Sequence, residues 1–381
     1  MLPAYLILIL WNVTWSVSIS GPVMPLYVKS LGIEIVDWSL LATSAALGMF
    51  FLEWVWGFLS DRMDRRLLMV LSALVMSSLF PLYTLRDLVP YFIILQFLSG
   101  AVGVIIGPTT RAYMSDESPK EATGLFASLW WASHTTGRII GPLLGACIAQ
   151  TWSFEYSFYA STILSLVLVP VILFAFPKHR KPGNRNAQQI VGGVETVLRF
   201  RPAAFLFLSA AFSFIGISLV RSFLPLYASE QINMSTVEIG ILLSAMSLSQ
   251  LSAIPLLGWL SDRFGRKRMA FAGFLLSSAV FMSYPLVQTS PQLMLISIIV
   301  SVGLAASSLL LALVPEVTPR TLYGTAVGLY GSFEDLGIIV GPLLFGLVWV
   351  AYGPVFIFVA SSLTQIVGAL LVLAIHPRQK A

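Results

Sequence analysis

Charged side chains are scarce in this chain, 10% of 381 residues against 57% hydrophobic. A soluble domain needs about 25% charge to cover its surface, so a soluble globular protein is excluded. The mean hydropathy of +0.88 agrees. There is one cysteine, Cys147, which excludes an intrachain disulfide. Zinc-ligand spacing, a phosphate-binding Gly-Lys-Ser loop and a nucleotide-binding glycine fingerprint are all missing. No metal, cofactor or catalytic residue is therefore expected, and the chain does not read as an enzyme. The alternating ten-residue segments of a membrane barrel are also missing, which leaves helices as the spanning element. The first apolar stretch lacks a basic leader and a small-residue cleavage site, so it reads as a retained helix.

What the chain has is apolar runs of about 20 residues, the length that crosses a bilayer core as helix. Twelve such spans are expected, at about 4–28, 37–58, 67–85, 88–113, 121–150, 155–176, 203–228, 236–258, 269–288, 292–314, 321–350 and 353–376. The fifth and eleventh exceed bilayer thickness and should tilt or project. The fold class is all-α, a membrane protein of two six-helix bundles, 1–176 and 203–381, joined by a linker over 177–202. In the linker Ile190, Val191, Val194, Val197 and Leu198 recur at helical spacing, which suggests a short surface helix weakened by Gly192-Gly193.

Lys and Arg fall mostly on one side. With both termini there, that side holds Arg62, Arg65, Arg66, Lys120, the linker cluster, Arg263, Arg266, Lys267, Arg268, Arg320, Arg378 and Lys380. The opposite loops hold Lys29 and Arg86. The positive-inside rule places both termini in the cytoplasm of a plasma (inner) membrane protein. The net charge of +5 is thus topological and implies no nucleic-acid partner.

The charges also repeat. Gly57-Phe-Leu-Ser-Asp61-Arg62-Met-Asp64-Arg65-Arg66 returns as Gly258-Trp-Leu-Ser-Asp262-Arg263-Phe-Gly265-Arg266-Lys267, each copy read as a short turn between spans. Pro25-Leu-Tyr27 recurs as Pro225-Leu-Tyr227, Asp116-Glu-Ser-Pro119 as Glu316-Val-Thr-Pro319, and Gly141-Pro-Leu-Leu as Gly341-Pro-Leu-Leu, each 200 positions on. Six spans per half put the second copy in the same orientation as the first. This is a parallel repeat about an axis along the membrane normal.

On these residues the sequence resembles the major facilitator superfamily, whose loop pattern G-x-L-[AS]-D-R-x-G-R-[KR] follows spans 2 and 8. The resemblance covers essentially the whole chain. It implies a carrier whose two bundles rock about a central cavity, working as a monomer on a small-molecule substrate in the lipid bilayer. It further implies that Asp61, Arg65 and Asp116 form a latch between bundles, with Asp262, Arg266 and Glu316 as a second copy. Asp64 stands where the pattern has glycine. If that position needs a left-handed turn, Asp fits it poorly and the two latches differ in strength.

Gly137, Gly141 and Gly145 fall on one face of span 5, with Pro142 among them; span 11 repeats Gly337, Gly341 and Pro342. Small residues on one face let helices approach closely. Gly-Pro-x-x-Gly in span 5 also resembles the exporter signature of drug:proton antiporters. Ionisable groups lie at membrane depth in His134, Arg138, Glu334, Asp335 and Glu53. Such groups are retained where they have a partner or a watery path. Glu334 and Asp335, then Glu53 and His134, are the candidates for proton coupling; a static intramembrane salt bridge is the alternative. Arg221 has Gly21 at its equivalent place, so it either faces substrate or pairs with an acid. With Asn12, Trp15, Gln96 and Ser218 it completes the expected cavity lining. Two departures weigh against an antiporter: Gln96 replaces the usual arginine of span 4, and span 1 has no acid.

The sequence thus points to a proton-driven exporter of amphipathic organic compounds, with protons as co-substrate and no cofactor. A facilitator or symporter of a small organic anion anchored by Arg221 remains open, as does a channel or membrane scaffold.

Overall fold

Lipid offers a peptide group no hydrogen-bond partner, so a chain this apolar must close its backbone bonds inside helices. The computed structural model describes residues 2–60, 63–107, 109–110, 123–176, 195–319 and 322–375, and every regular element among them is helical. In chain order the helices are α1 (Leu2–Ser18), α2 (Val23–Ser30), α3 (Ile35–Ser60), α4 (Arg65–Leu82), α5 (Val89–Gly103), α6 (Thr123–Thr151), α7 (Phe154–Ala175) and α8 (Arg201–Ser222). They continue as α9 (Leu224–Gln231), α10 (Thr236–Phe264), α11 (Arg266–Phe281), α12 (Ser290–Ala305), α13 (Ser307–Val317), α14 (Tyr323–Tyr352) and α15 (Phe356–Ala374).

Ten described segments are long and apolar enough to cross a bilayer, with Val89–Gly103 a shorter apolar helix. With α6 they make up the twelve expected spans. The 29 residues of α6 and 30 of α14 come to about 45 Å at about 1.5 Å per residue, against a hydrocarbon core of about 30 Å. Several spans are broken. Span 1 divides between α1 and α2, where Pro22 precedes the second helix and brings no N–H to continue the first. Span 10 divides at Ala306, between α12 and α13.

The chain forms two compact units: Met1–Gly183 with Ala228–Leu248, and Asn184–Tyr227 with Ser249–Ala381. α10 contributes to both. Of the linker, 177–194 lies outside the described residues, and Ile190, Val191 and Val194 with it. Val197 is fully buried in the second unit's core with Leu206, Phe207, Phe274, Leu313 and Tyr330. The described end of the linker is anchored in that unit.

The repeat reaches down to single hydrogen bonds. In the first unit Tyr27 donates to the Tyr83 carbonyl at 3.2 Å, and the Tyr83 hydroxyl pairs with Ser99 at 3.0 Å. In the second, Tyr227 donates to the Tyr284 carbonyl at 3.4 Å, and Tyr284 pairs with Ser297 at 2.9 Å. Tyr83 stacks on Phe158 at 5.3 Å and Tyr284 on Phe358 at 4.3 Å. Each stack is worth about 0.5–1.5 kcal/mol beyond its buried area. The recurring Pro-Leu-Tyr therefore seats a tyrosine on a buried aromatic core. Serines join helices elsewhere: Ser165 donates to the Ala73 carbonyl at 2.7 Å and Ser209 to that of Gly368 at 3.0 Å.

Candidate functional site

The second copy of the repeated loop is a helix junction, not a turn. α10 runs through Asp262 and Arg263 to Phe264, Gly265 alone interrupts, and Arg266 opens α11. Gly265 has φ +93°, a region that disfavours any side chain. Arg266 bridges two elements. Its Nη1 donates to the Ala312 carbonyl at 2.8 Å and to Glu316 at 3.1 Å, both on α13. Asp262 stands farther off, 3.9 Å from Nη2, with a side chain 72% exposed. Arg263 lies 4.0 Å over the Trp259 ring. Lys267, expected to be topological only, donates to the carbonyls of Leu373 and Ile375 at 2.7 and 2.6 Å. It closes the C-terminus of α15, where backbone acceptors lack partners.

The first copy is built differently. Asp64 is extended, φ −64° and ψ 116°, and caps α4 by accepting the Arg66 N–H at 3.0 Å. The expected left-handed strain at Asp64 is therefore not there: the residue replaces the glycine's turn with a cap. Arg65 is buried; Asp61 and Asp116 lie outside the described residues.

The glycines form seams in both units. A Cβ on Gly137 would overlap Asn12 and one on Gly145 the Val17 carbonyl, so this face of α6 lies directly on α1. Gly141 meets Ser16 in the same seam. Gly337 and Gly341 of α14 meet Ala211, Phe214 and Ser218 of α8 in the same way. Pro142 and Pro342 sit inside these helices; each removes one backbone donor. This packing encloses two expected cavity residues. Asn12 is buried and donates to the Leu8 carbonyl at 2.9 Å, and Ser218 is buried and donates to that of Ile215 at 2.7 Å. Gln96 is buried beside Tyr83, whose hydroxyl lies 3.4 Å from it. Trp15 packs on Gly103 and lies 6.2 Å from the Trp11 ring.

The ionisable residues of α6 and α14 keep equivalent surroundings. Trp130 donates to the Thr110 hydroxyl at 3.3 Å, and His134, one turn on, lies 5.5 Å from its ring. Tyr330 donates to the Ser307 carbonyl at 3.2 Å, and Glu334 is one turn on, in hydrogen-bond contact with the tyrosine hydroxyl. Arg221 on α8 lies in the field of Glu334 and Asp335, while its buried Nε has no hydrogen-bond partner. Arg221 is thus within electrostatic reach of both carboxylates. Glu53 and Arg138 are half-buried, each in interaction with a neighbour.

Three features were not among the expected site residues. Tyr330 bridges α14 to the break in span 10. Lys267 closes α15. Lys29 pairs with Glu230 at 3.4 Å, and Gln150 accepts the Val237 N–H at 2.8 Å. The one sequence signal for the last was that Lys29 is rare among the loops of its side.

Twelve apolar spans in two repeated sets, with charged junctions at equivalent places and ionisable groups at membrane depth, define a multi-pass membrane transporter. The Major Facilitator Superfamily pattern matches residues 6–206 and again 206–381, and the chain belongs to that family. Multidrug resistance protein MdtG of Enterobacter lignolyticus (strain SCF1) is 26% identical over 372 residues, 92% of this chain and 86% of that protein. MdtG of Escherichia coli (strain K12 / DH10B) is 25% identical over 361 residues, covering 91% and 87%. Among solved structures, an inward-facing, occupied bacterial homolog of the human lysosomal transporter Spinster superposes with TM-score 0.81 at 12% identity, over 98% of this chain and 95% of that one. The nucleoside transporter NupG gives 0.78 at 14% identity over 99% of both. At those identities the likeness is one of fold.

Proposed function

We propose that the protein is a proton-driven exporter of amphipathic organic compounds, working by alternating access in the inner membrane with both termini in the cytoplasm. The observation that carries this reading is a pair of carboxylates, Glu334 and Asp335, within electrostatic reach of the buried Arg221 in an apolar bundle. Desolvation disfavours a carboxylate and a nearby guanidinium favours it. A group moved between those surroundings takes up and releases a proton. The direction of transport rests on likeness to relatives named for multidrug resistance and on the Gly137–Gly145 seam. The Arg266–Glu316 bridge supports the gating role of the repeated junction.

The test is a proteoliposome assay with an imposed pH gradient and a panel of cationic dyes and organic acids. Gradient-driven dye transport is expected, and Glu334→Gln with Asp335→Asn is expected to abolish the drive. Dye transport indifferent to the gradient and to those substitutions would sink the coupling. One observation favours a second reading: the unpartnered Nε of Arg221 suits a substrate carboxylate. Uptake of organic anions lost in Arg221→Ala, with no dye export, would select it.

A further inference from the structure

The Tyr330 hydroxyl has one proton and two neighbours that can take it. Its Oη lies 3.2 Å from the Ser307 carbonyl, with the tyrosine only 3% exposed, so water offers little alternative. The same hydroxyl is in hydrogen-bond contact with the Glu334 side chain. A phenol donates one hydrogen bond and accepts others, a carbonyl only accepts, and an ionised carboxylate only accepts. If Glu334 carries a proton, the chain closes: Glu334 O–H donates to Tyr330, and Tyr330 O–H donates to Ser307. If Glu334 is ionised, the tyrosine proton turns to it, and the Ser307 carbonyl loses its side-chain donor.

We propose that Tyr330 is a positioning residue for Glu334 that passes its protonation state to the break in span 10 as a switched hydrogen bond on the Ser307 carbonyl. Ser307 is the first residue of α13, directly after the interruption at Ala306. The switch therefore acts where the span is already divided. The equivalent place in the first half is chemically different. Trp130 holds the place 200 positions earlier and bonds Thr110, but an indole N–H donates and cannot accept.

Few other charges bear on Glu334 within this unit. Among the described residues, α14 carries its neighbour Asp335 and, at its two far ends, exposed Tyr323 and Tyr352. α8 supplies Arg221, with Arg201 at its opposite end. α13 carries Glu316 near its C-terminus, tied to Arg266. α15 has no titratable residue.

The proposal rests on Glu334 as proton site, and the experiment separates the two. Full-length protein in proteoliposomes is assayed for transport against pH as wild type, Tyr330→Phe and Glu334→Gln. Infrared difference spectra follow the protonated-carboxyl band, identified by its loss in Glu334→Gln. Phe keeps the ring's packing, so Tyr330→Phe is expected to fold. Its transport midpoint is expected to move to higher pH by on the order of one unit, since the stronger, charge-assisted bond to the carboxylate is the one removed. The carboxyl band is expected at higher frequency, having lost its acceptor. If Glu334→Gln abolishes coupling while Tyr330→Phe leaves midpoint and band unchanged, the switch is wrong and the proton site stands. If Glu334→Gln remains fully coupled, the proton site is wrong and the switch has no input.

Discussion

Lys29 and Glu230 form an ion pair at 3.4 Å, and the same ammonium lies 3.3 Å from the hydroxyl of Ser229, the residue 200 positions on in the repeat. Beside them Ser235 and Glu238 form a reciprocal cap on α10, with Glu238 accepting the Ser235 N–H at 2.7 Å and Ser235 the Glu238 N–H at 3.3 Å. Gln150 takes the Val237 N–H. The first half of the chain thus ties down the end of α9 through Lys29, and the start of α10, which carries its own cap, through Gln150.

This tie predicts a modest, salt-sensitive effect. The two side chains are 36% and 28% exposed, so the pair is worth at most about 1 kcal/mol. Lys29→Ala is expected to lower thermal stability slightly, and Lys29→Glu more, through repulsion of Glu230. Exchanging the two residues should recover most of the loss. A double-mutant cycle at low and high salt measures it, and equal values at both would contradict an electrostatic origin.

Arg266 is expected to matter more than Asp262. Its guanidinium holds both a backbone carbonyl and Glu316 across two elements, while Asp262 is distant and exposed. Arg266→Ala is expected to cost about 1.5–3 kcal/mol, the range for hydrogen bonds to charged groups, and Asp262→Asn less than about 0.5 kcal/mol. Arg266→Lys should rescue only partly, because an ammonium cannot reproduce the planar fork. Melting temperatures of the three variants check the order. Comparable losses in Arg266→Ala and Asp262→Asn would refute it.

The fold was legible because its two signals, apolar length and offset repetition, are both written in residue identity. The twelve spans followed from the first and the paired junctions from the second. The glycine seams were legible too, since spacing fixes a helix face. What spacing does not fix is the side of the bundle that face meets. Asn12, Gln96 and Ser218 are polar residues in apolar helices, which suits a cavity as well as packing. Each also has a hydrogen-bond partner on its own helix or a neighbour. Lys267 was hidden for another reason: its acceptors, Leu373 and Ile375, lie more than 100 positions away and are backbone atoms, which leave no trace in residue identity.

The two junctions should respond unequally to exchange. Gly265 holds φ +93°, so Gly265→Asp is expected to cost about 1–3 kcal/mol in backbone strain. Asp64 is extended and acts as a cap, so Asp64→Gly should cost only a few tenths of a kcal/mol and Asp64→Ala about 1 kcal/mol. Denaturation in detergent distinguishes these. Equal tolerance of Asp at both sites would contradict the difference in backbone.

Glycines in the seams and glycines in the motif should also separate. A Cβ on Gly145 meets the Val17 backbone carbonyl, which cannot move without displacing α1. Gly145→Ala is therefore expected to destabilise by about 1–3 kcal/mol, the range for overpacking. Gly258 opens the repeated motif, yet no described residue lies within 4 Å of where its Cβ would stand, and it sits inside α10. By helix propensity alone Gly258→Ala should stabilise by about 0.5–1 kcal/mol. If Gly258→Ala is stable but transports poorly, the motif glycine serves a conformation in which a neighbour comes close. If it both stabilises and transports normally, its place in the motif is not steric. Measured stability below wild type would contradict the open surroundings from which the prediction is drawn.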